Sequence, residues 1–521
     1  MHESHERTRR GARLVAIGIL ASRIVGLIRN WIYARYIPAG AAADAYTAAI
    51  KIPNILRNLL GEGAISASFI PVYAAALARG DEKGARALAN ALLGVLLAAV
   101  AVLTALGIWV APVLTALFAP GFTGEKAELT TRLMRVIFPM TGLMVLSGWC
   151  LGVQNAHRRF LIAYGSAVLW SVTQIGLLLV AGPRTEIIQL VWWLSWATLA
   201  GAALQVAAQM PQVLRLLGPL RPRIAAVPGL RETLHNFTPI VAALGVFQVS
   251  SLIDTFIASF LPDGANQLMQ WATQLYLLPL GLFGVSTAAA ALPEFAASSA
   301  RNEHDVLRAG LTHAWERVLF YVIPSTVAFI AIGDLIIALV YESGRFGPDD
   351  RYLVHLVLAG FAIALIAYSS SRVLTSTYYA LQDFHTPFRA ALVAVTTSAV
   401  GSLAVALPFR SHLEATAAIA AGGAVGAYVN LLMLWRGLRK HLGAIDTTGP
   451  RRVAAGATAA AAAAAAVGLA AHWFLRALPV HATAALVIPV YCLVFLGVAH
   501  RLRLDEAERM VAGLRRRLLR R

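Results

Sequence analysis

Ionisable side chains embedded in apolar sequence are the residues with chemical potential in this chain. Arg23, Arg29 and Arg35 lie in the first apolar run, and Asp44, Lys51, Asn54, Arg57 and Glu62 lie in or beside the second. An ionised side chain at the centre of a bilayer costs about 2.5 to 3.5 kcal/mol on insertion scales, so this many are expected to line a wet cavity and not to face lipid. At roughly 100° per residue, Asp44, Lys51, Asn54, Arg57 and Glu62 fall within an arc of about 140°, a single polar stripe on one helix. Arg23 and Arg29 are about 120° apart on an ideal helix, and their convergence requires a bend, for which Gly26 is the candidate. Two guanidiniums in a cavity suit a phosphate-bearing ligand, because the planar fork meets phosphate oxygens bidentately. The competing reading is structural: Asp44 and Glu62 neutralise Lys51 and Arg57, locking the first two spans together, while Arg35 snorkels.

No enzyme motif accompanies these charges. Gly61-Glu62-Gly63-Ala64-Ile65-Ser66 lacks a third glycine at phosphate-loop spacing, His2-Glu3-Ser4-His5 is not a metalloprotease array, and no Cys-x-x-Cys occurs. Neither catalysis, nor a cofactor, nor a metal centre is expected. The two cysteines, Cys150 and Cys492, both lie in apolar runs and read as packing residues.

The elements that must position the charges follow from composition. Of 521 residues, 58% are hydrophobic and 13% charged, where a soluble domain carries roughly a quarter charged residues. Apolar runs bounded by Pro, Gly or charge recur from 14–38 and 42–77 through to 452–475 and 480–500, about fourteen in all, each long enough to cross a bilayer. The chain is therefore expected to be an all-α polytopic membrane protein of about fourteen transmembrane helices. The first run lacks a small-residue cleavage site and is expected to remain as the first span. The net charge of +18 sits in short loops between apolar runs and not on one soluble face, which argues against nucleic acid. Roughly three times as many Lys and Arg fall in one set of loops as in the alternate set, which places both termini in the cytoplasm. The tail 501–521 reads either as a basic interfacial helix for anionic lipid or as a solvated positive segment.

An internal repeat adds architecture. Gln154-Asn155-Ala156-His157-Arg158-Arg159-Phe160 echoes Gln382-Asp383-Phe384-His385-Thr386-Pro387-Phe388, and Pro71 with Ala78-Arg79 echoes Pro293 with Ala300-Arg301. Six spans separate equivalent points, so two pseudo-symmetric six-helix lobes of like orientation are expected, with substrate between them near mid-membrane. The expected divisions are an N-lobe at 1–220, a C-lobe at 221–445, and two further helices with a basic tail at 446–521. The second lobe offers Asp254, Asn266, Gln267, Gln270 and Gln274, polar but almost without positive charge, so the anion-binding half is the N-terminal one. Asp254 is a candidate for ion coupling, with a hydrogen-bonded packing role as the alternative.

These blocks resemble a known family. Ser22-Arg23-Ile24-Val25-Gly26-Leu27-Ile28-Arg29, Ala43-Asp44-Ala45-Tyr46, Lys51-Ile52-Pro53-Asn54-Ile55-Leu56-Arg57, Glu62-Gly63-Ala64 and Phe69-Ile70-Pro71 are similar in order and spacing to the N-terminal signature of the MurJ/MviN lipid II flippases, within the multidrug/oligosaccharidyl-lipid/polysaccharide exporter superfamily. Leu278 to Val285 and Tyr378 to Asp383 agree further. The resemblance implies a cationic central cavity, alternating access, and export of the undecaprenyl-pyrophosphate-linked peptidoglycan precursor across the bacterial inner membrane, with lipid II, membrane lipids and cell-wall synthesis proteins as partners. It also implies that Arg23, Arg29, Asp44, Asn54 and Arg57 line or gate that cavity, with Ser22 and Lys51 in the same motifs. The chain departs from the family at Gln274, where many members carry an arginine; either Lys51 or Arg57 supplies that charge, or the substrate differs in its sugar or peptide. The rival readings are an exporter of another polyprenyl-pyrophosphate-linked polysaccharide precursor and a membrane scaffold that does not transport.

Overall fold

The computed structural model describes residues 2–518, apart from the side chains of 2–17, 19, 62, 63, 66, 407, 514, 515, 517, 518 and a scatter of positions between 238 and 250. The described residues are almost wholly helical. In order they form α1 (His2–Tyr36), α2 (Ala41–Leu60), α3 (Glu62–Ala78), α4 (Glu82–Phe118), α5 (Gly124–Ala156), α6 (Phe160–Gly165), α7 (Ala167–Ala181), α8 (Ile187–Leu217), α9 (Leu230–Ala258) and α10 (Ala265–Pro279). A π-helical segment (Leu280–Val285) leads into α11 (Ser286–Ala300), followed by α12 (His304–Ala331), α13 (Gly333–Tyr341), α14 (Pro348–Ala380) and α15 (His385–Ala406). The chain ends in α16 (Ala415–Leu442), α17 (Thr448–Phe474), α18 (Val480–Arg501) and α19 (Asp505–Leu518).

Eleven spans among the described residues are long and apolar enough to cross a membrane. The remaining expected spans correspond to α1, to α2 with α3, and to α9, and these are the helices that carry Arg23, Arg29, Lys51, Arg57 and Asp254. Ionisable groups are tolerated in a span only where protein or water shields them from lipid.

The chain divides into two compact units, residues 1–260 with 343–346, and 261–342 with 347–521. In the first unit α5 is the spine: 78% of its most apolar stretch is buried, and it packs against α2, α3, α4 and α8. Leu133, Ile137, Met140 and Met144 on α5 join Ala45, Ala49, Leu190 and Leu194 in one apolar core. Polar bonds tie the same helices. Gln205 and Gln209 of α8 donate to the Ser147 hydroxyl of α5 at 2.9 and 3.1 Å, and Gln209 also reaches Ser166 at 2.7 Å. Interhelical amide–hydroxyl bonds of this kind substitute for the hydrophobic drive that lipid cannot supply between spans. The expected N-lobe limit at 220 precedes α9, and α9 packs on α2, α3 and α4.

In the second unit α14 plays the corresponding part, packed by α10, α11, α12 and α16. Small residues allow close backbone approach between α15 and α16: a Cβ added at Gly426 would lie 2.2 Å from the Ala394 carbonyl oxygen. The alanine-rich α17 buries Ala457, Ala460, Ala461 and Ala464 against α12 and α18 in a further core. The stretch Leu278 to Val285 that carries part of the family resemblance spans the end of α10 and the π-helical segment that follows Pro279. Cys150 is buried and Cys492 exposed, so only the first is a packing residue.

The two sequence echoes fold alike. Gly80 and Asn302 both adopt positive φ, 76° and 54°, and the next residues, Asp81 and Glu303, donate to Ala76 and Ser298 in the same helix-closing pattern. This matches the Pro71/Pro293 register. In the other echo the equivalent left-handed residues are Arg158 and Gln382, at φ 57° and 60°, with Arg159 donating to Gln154 and Asp383 to Tyr378. The structural register therefore pairs Ala156 to Phe160 with Ala380 to Phe384, four residues away from the alignment suggested by the Gln and Phe identities. The backbone turn, and not side-chain likeness, fixes equivalence at a helix end.

Candidate functional site

The site builds from the facing ends of α1, α2 and α7 in the first unit. α1 runs unbroken through Gly26, so no interruption of the helix brings Arg23 towards Arg29. Arg23 is exposed, while Ser22 and Arg29 are half-buried. The cation that Arg29 meets comes from the second span. The Arg29 guanidinium lies over the Trp170 indole at 4.8 Å from the ring centroid, and Arg57 lies over the same ring at 5.6 Å. Both distances fall within the roughly 6 Å over which a ring quadrupole attracts a cation.

The two arginines are restrained alike. Arg29 donates through Nε and Nη2 to the Asn30 Oδ1 at 3.3 and 3.0 Å, and Arg57 donates to the Asn58 Oδ1 at 3.4 Å. These amide acceptors and the indole are neutral, so they orient a guanidinium without cancelling its charge. α2 ends just beyond Arg57, where the Gly61 N–H donates to the Arg57 carbonyl at 2.8 Å. A Cβ at Gly61 would lie 2.5 Å from that oxygen, which is why the sharp α2 to α3 junction requires glycine. Pro53 within α2 is held from α5, whose Thr141 hydroxyl donates to its carbonyl at 3.1 Å.

Asp44, one of the two acids of the expected stripe, engages a different helix. Asp44 is 0% exposed and accepts from the Lys126 ammonium of α5 at 2.8 Å, and that ammonium also lies 3.9 Å from the Phe122 ring centroid. Asp44 thus joins α2 to α5 through a lysine that the sequence reading did not single out. Lys51 and Asn54 are half-buried on α2. Asp254, half-buried on α9, is within electrostatic reach of Lys51. Glu62 opens α3, but its side chain lies outside the described residues. Gln274 is half-buried on α10 of the second unit.

The residues missed from sequence are Trp170, Lys126 and the two asparagines. Trp170 sits in an apolar run, where an aromatic ring carries no distinguishing signal. The repeated Arg-Asn dipeptide at 29–30 and 57–58 was the available clue. Among the described residues no group of three or more His, Cys, Asp or Glu side chains is arranged to hold a metal ion. A broad depression of about 500 Å³, lined by Pro38 to Ala43, Glu186 to Ile188 and Arg345, does not include the arginine pair.

Comparison with known proteins settles the lineage. The sequence profile of the family described as lipid II flippase MurJ matches residues 33–489. The chain belongs to the MurJ family. A probable lipid II flippase MurJ of Rhizobium tropici is 31% identical over 435 residues, covering 81% of this chain and 80% of that protein. The lipid II flippase MurJ of Burkholderia cenocepacia is 30% identical over 431 residues, covering 81% and 82%. Among solved structures, a lipid II flippase MurJ in an inward closed conformation aligns with a TM-score of 0.74 at 22% identity, over 93% of this chain and 98% of that one. An inward-facing multidrug transporter of the MATE family and MOP superfamily aligns at 0.63 and 17% identity, over 81% and 95%. The structural likenesses show a fold like those of MurJ and of MOP-superfamily transporters, and membership in the MurJ family with eleven apolar spans among the described residues makes the chain a multi-pass membrane protein.

Proposed function

We propose that this chain is a lipid II flippase that carries the undecaprenyl-pyrophosphate-linked peptidoglycan precursor from the inner to the outer leaflet of the bacterial inner membrane. The observation that carries the reading is the convergence of Arg29 and Arg57, from two different spans, on one aromatic ring in a chain of the MurJ family. The planar forks of two guanidiniums meet the oxygens of a pyrophosphate bidentately. Ser22, Arg23, Lys51 and Asn54 extend the polar lining. Asp44, buried against Lys126, holds α2 on α5 without touching ligand, and Asp254 compensates Lys51.

In this reading the chain has fourteen spans in two six-helix repeats, bounded near residues 220 and 445, with α17 and α18 added and both termini cytoplasmic. The headgroup crosses by alternating access while the polyprenyl tail stays in lipid. An interior-negative potential, worth about 2.3 kcal/mol per charge per 100 mV, draws the emptied cationic cavity back inward.

The test is complementation in a bacterium depleted of its own flippase, with lipid II exposure at the outer leaflet as the readout. Rescue by the wild-type chain and its loss in Arg29→Ala and Arg57→Ala at equal expression is the expected outcome. A well-expressed wild-type chain that exposes no lipid II removes the assignment.

A further inference from the structure

The arginine pair depends on a ring that is itself held in place. Trp170 opens the second turn of α7, and its indole Nε1 donates to the Thr198 carbonyl of α8 at 3.2 Å. α8 comes close enough to do this because residue 201 is glycine: a Cβ there would lie 3.0 Å from the Trp170 Cα and 3.2 Å from its Cδ1. The Thr198 hydroxyl in turn meets the Tyr46 hydroxyl of α2 at 2.9 Å, which ties the platform to the helix that carries Arg57. The indole is thus fixed at its edge and approached by two cations at 4.8 and 5.6 Å.

This arrangement answers a physical difficulty. Two long, like-charged side chains near one another repel and have many rotamers, and ordering both at the moment of ligand capture is unfavourable. An aromatic face attracts each guanidinium through its quadrupole and leaves the charge in place. We infer that Trp170 is a positioning residue of the flippase, whose indole, pinned by Thr198 and the Gly201 approach, preorganises Arg29 and Arg57 to receive the pyrophosphate of the lipid substrate.

The inference rests on the lipid II reading above, and the experiment separates the two. Full-length protein in nanodiscs is titrated with purified lipid II. Trp170→Leu is expected to weaken binding roughly tenfold, equivalent to about 1.4 kcal/mol, and Trp170→Phe, which keeps a π face, about threefold or less. In an Arg29→Ala/Arg57→Ala background, Trp170→Leu is expected to change the residual binding no further, because the ring then has no guanidinium to hold. A Phe variant as weak as the Leu variant, or a Trp170→Leu loss of undiminished size without the arginines, overturns the positioning role and leaves the lipid II reading standing. Absence of lipid II binding by the wild-type protein overturns that reading itself, and the inference with it.

Discussion

Arg29 and Asp44 illustrate how charged residues in adjacent motifs take opposite roles. Arg29 is oriented by an amide and an indole, both neutral groups. Asp44 is fully buried and engaged by Lys126, so its charge is consumed in holding two helices together. Removing one partner of a buried pair strands the other, whereas removing both is often tolerated. Asp44→Ala is therefore expected to destabilise the folded protein by about 3 kcal/mol, read as a lowered melting temperature in detergent. Asp44→Ala combined with Lys126→Met should recover most of that stability and restore complementation. A double variant that is stable but fails to rescue would instead make Asp44 a ligand contact. The sequence exposed both charges but not their partners, because Lys126 lies 82 positions away at the start of a different span.

At the scale of elements, the turn between α14 and α15 is held by one side chain. Asp383 Oδ1 accepts from the backbone N–H groups of His385 and Thr386, each at 3.0 Å, and Oδ2 accepts from the Thr386 hydroxyl at 2.6 Å. Partial burial pushes the carboxyl upward, but the Thr386 hydroxyl, these two N–H groups and the nearby His441 outweigh it and hold Asp383 below the ordinary value of 3.8. A carboxyl depressed in the folded state stabilises fully above its ordinary value and loses that contribution as pH falls through the lower folded value. Asp383→Ala is expected to cost about 1 kcal/mol at neutral pH, as for a lost helix cap. The wild-type and variant melting curves should converge below pH 4; a gap that persists there would show that the carboxylate charge is not what stabilises the turn. The repeat that contains this turn was visible in sequence, yet its register was not. Identical residues suggested one alignment, and the left-handed residues Arg158 and Gln382 set another, because hydrogen-bond closure of a helix depends on backbone position and tolerates many side chains.

At the scale of the molecule, the uneven distribution of Lys and Arg among loops predicts topology. A phosphatase that works only outside the cytoplasm should be inactive when fused after residue 501 and active when inserted at 344, in the turn between α13 and α14; a cytoplasmic reporter should show the reverse. Activity of the phosphatase at both positions would break the fourteen-span count, since an even number of crossings requires both termini on one side. Among the described residues eleven spans declare themselves by length and hydropathy.

The sequence by itself determined the class of the molecule: hydrophobic runs of bilayer length admit only helices or a closed barrel, and their length and number fit helices. It also determined the family, through motifs whose order and spacing survive in one chain. Tertiary structure alone decided which charges meet. Arg29 shares the Trp170 ring with Arg57 of another helix, because residues six apart on a continuous helix, as Arg23 and Arg29 are, point in different directions, whereas packing can bring residues 28 and 141 positions apart onto one ring. Periodicity describes a single helix; the choice of partner belongs to the contacts between helices.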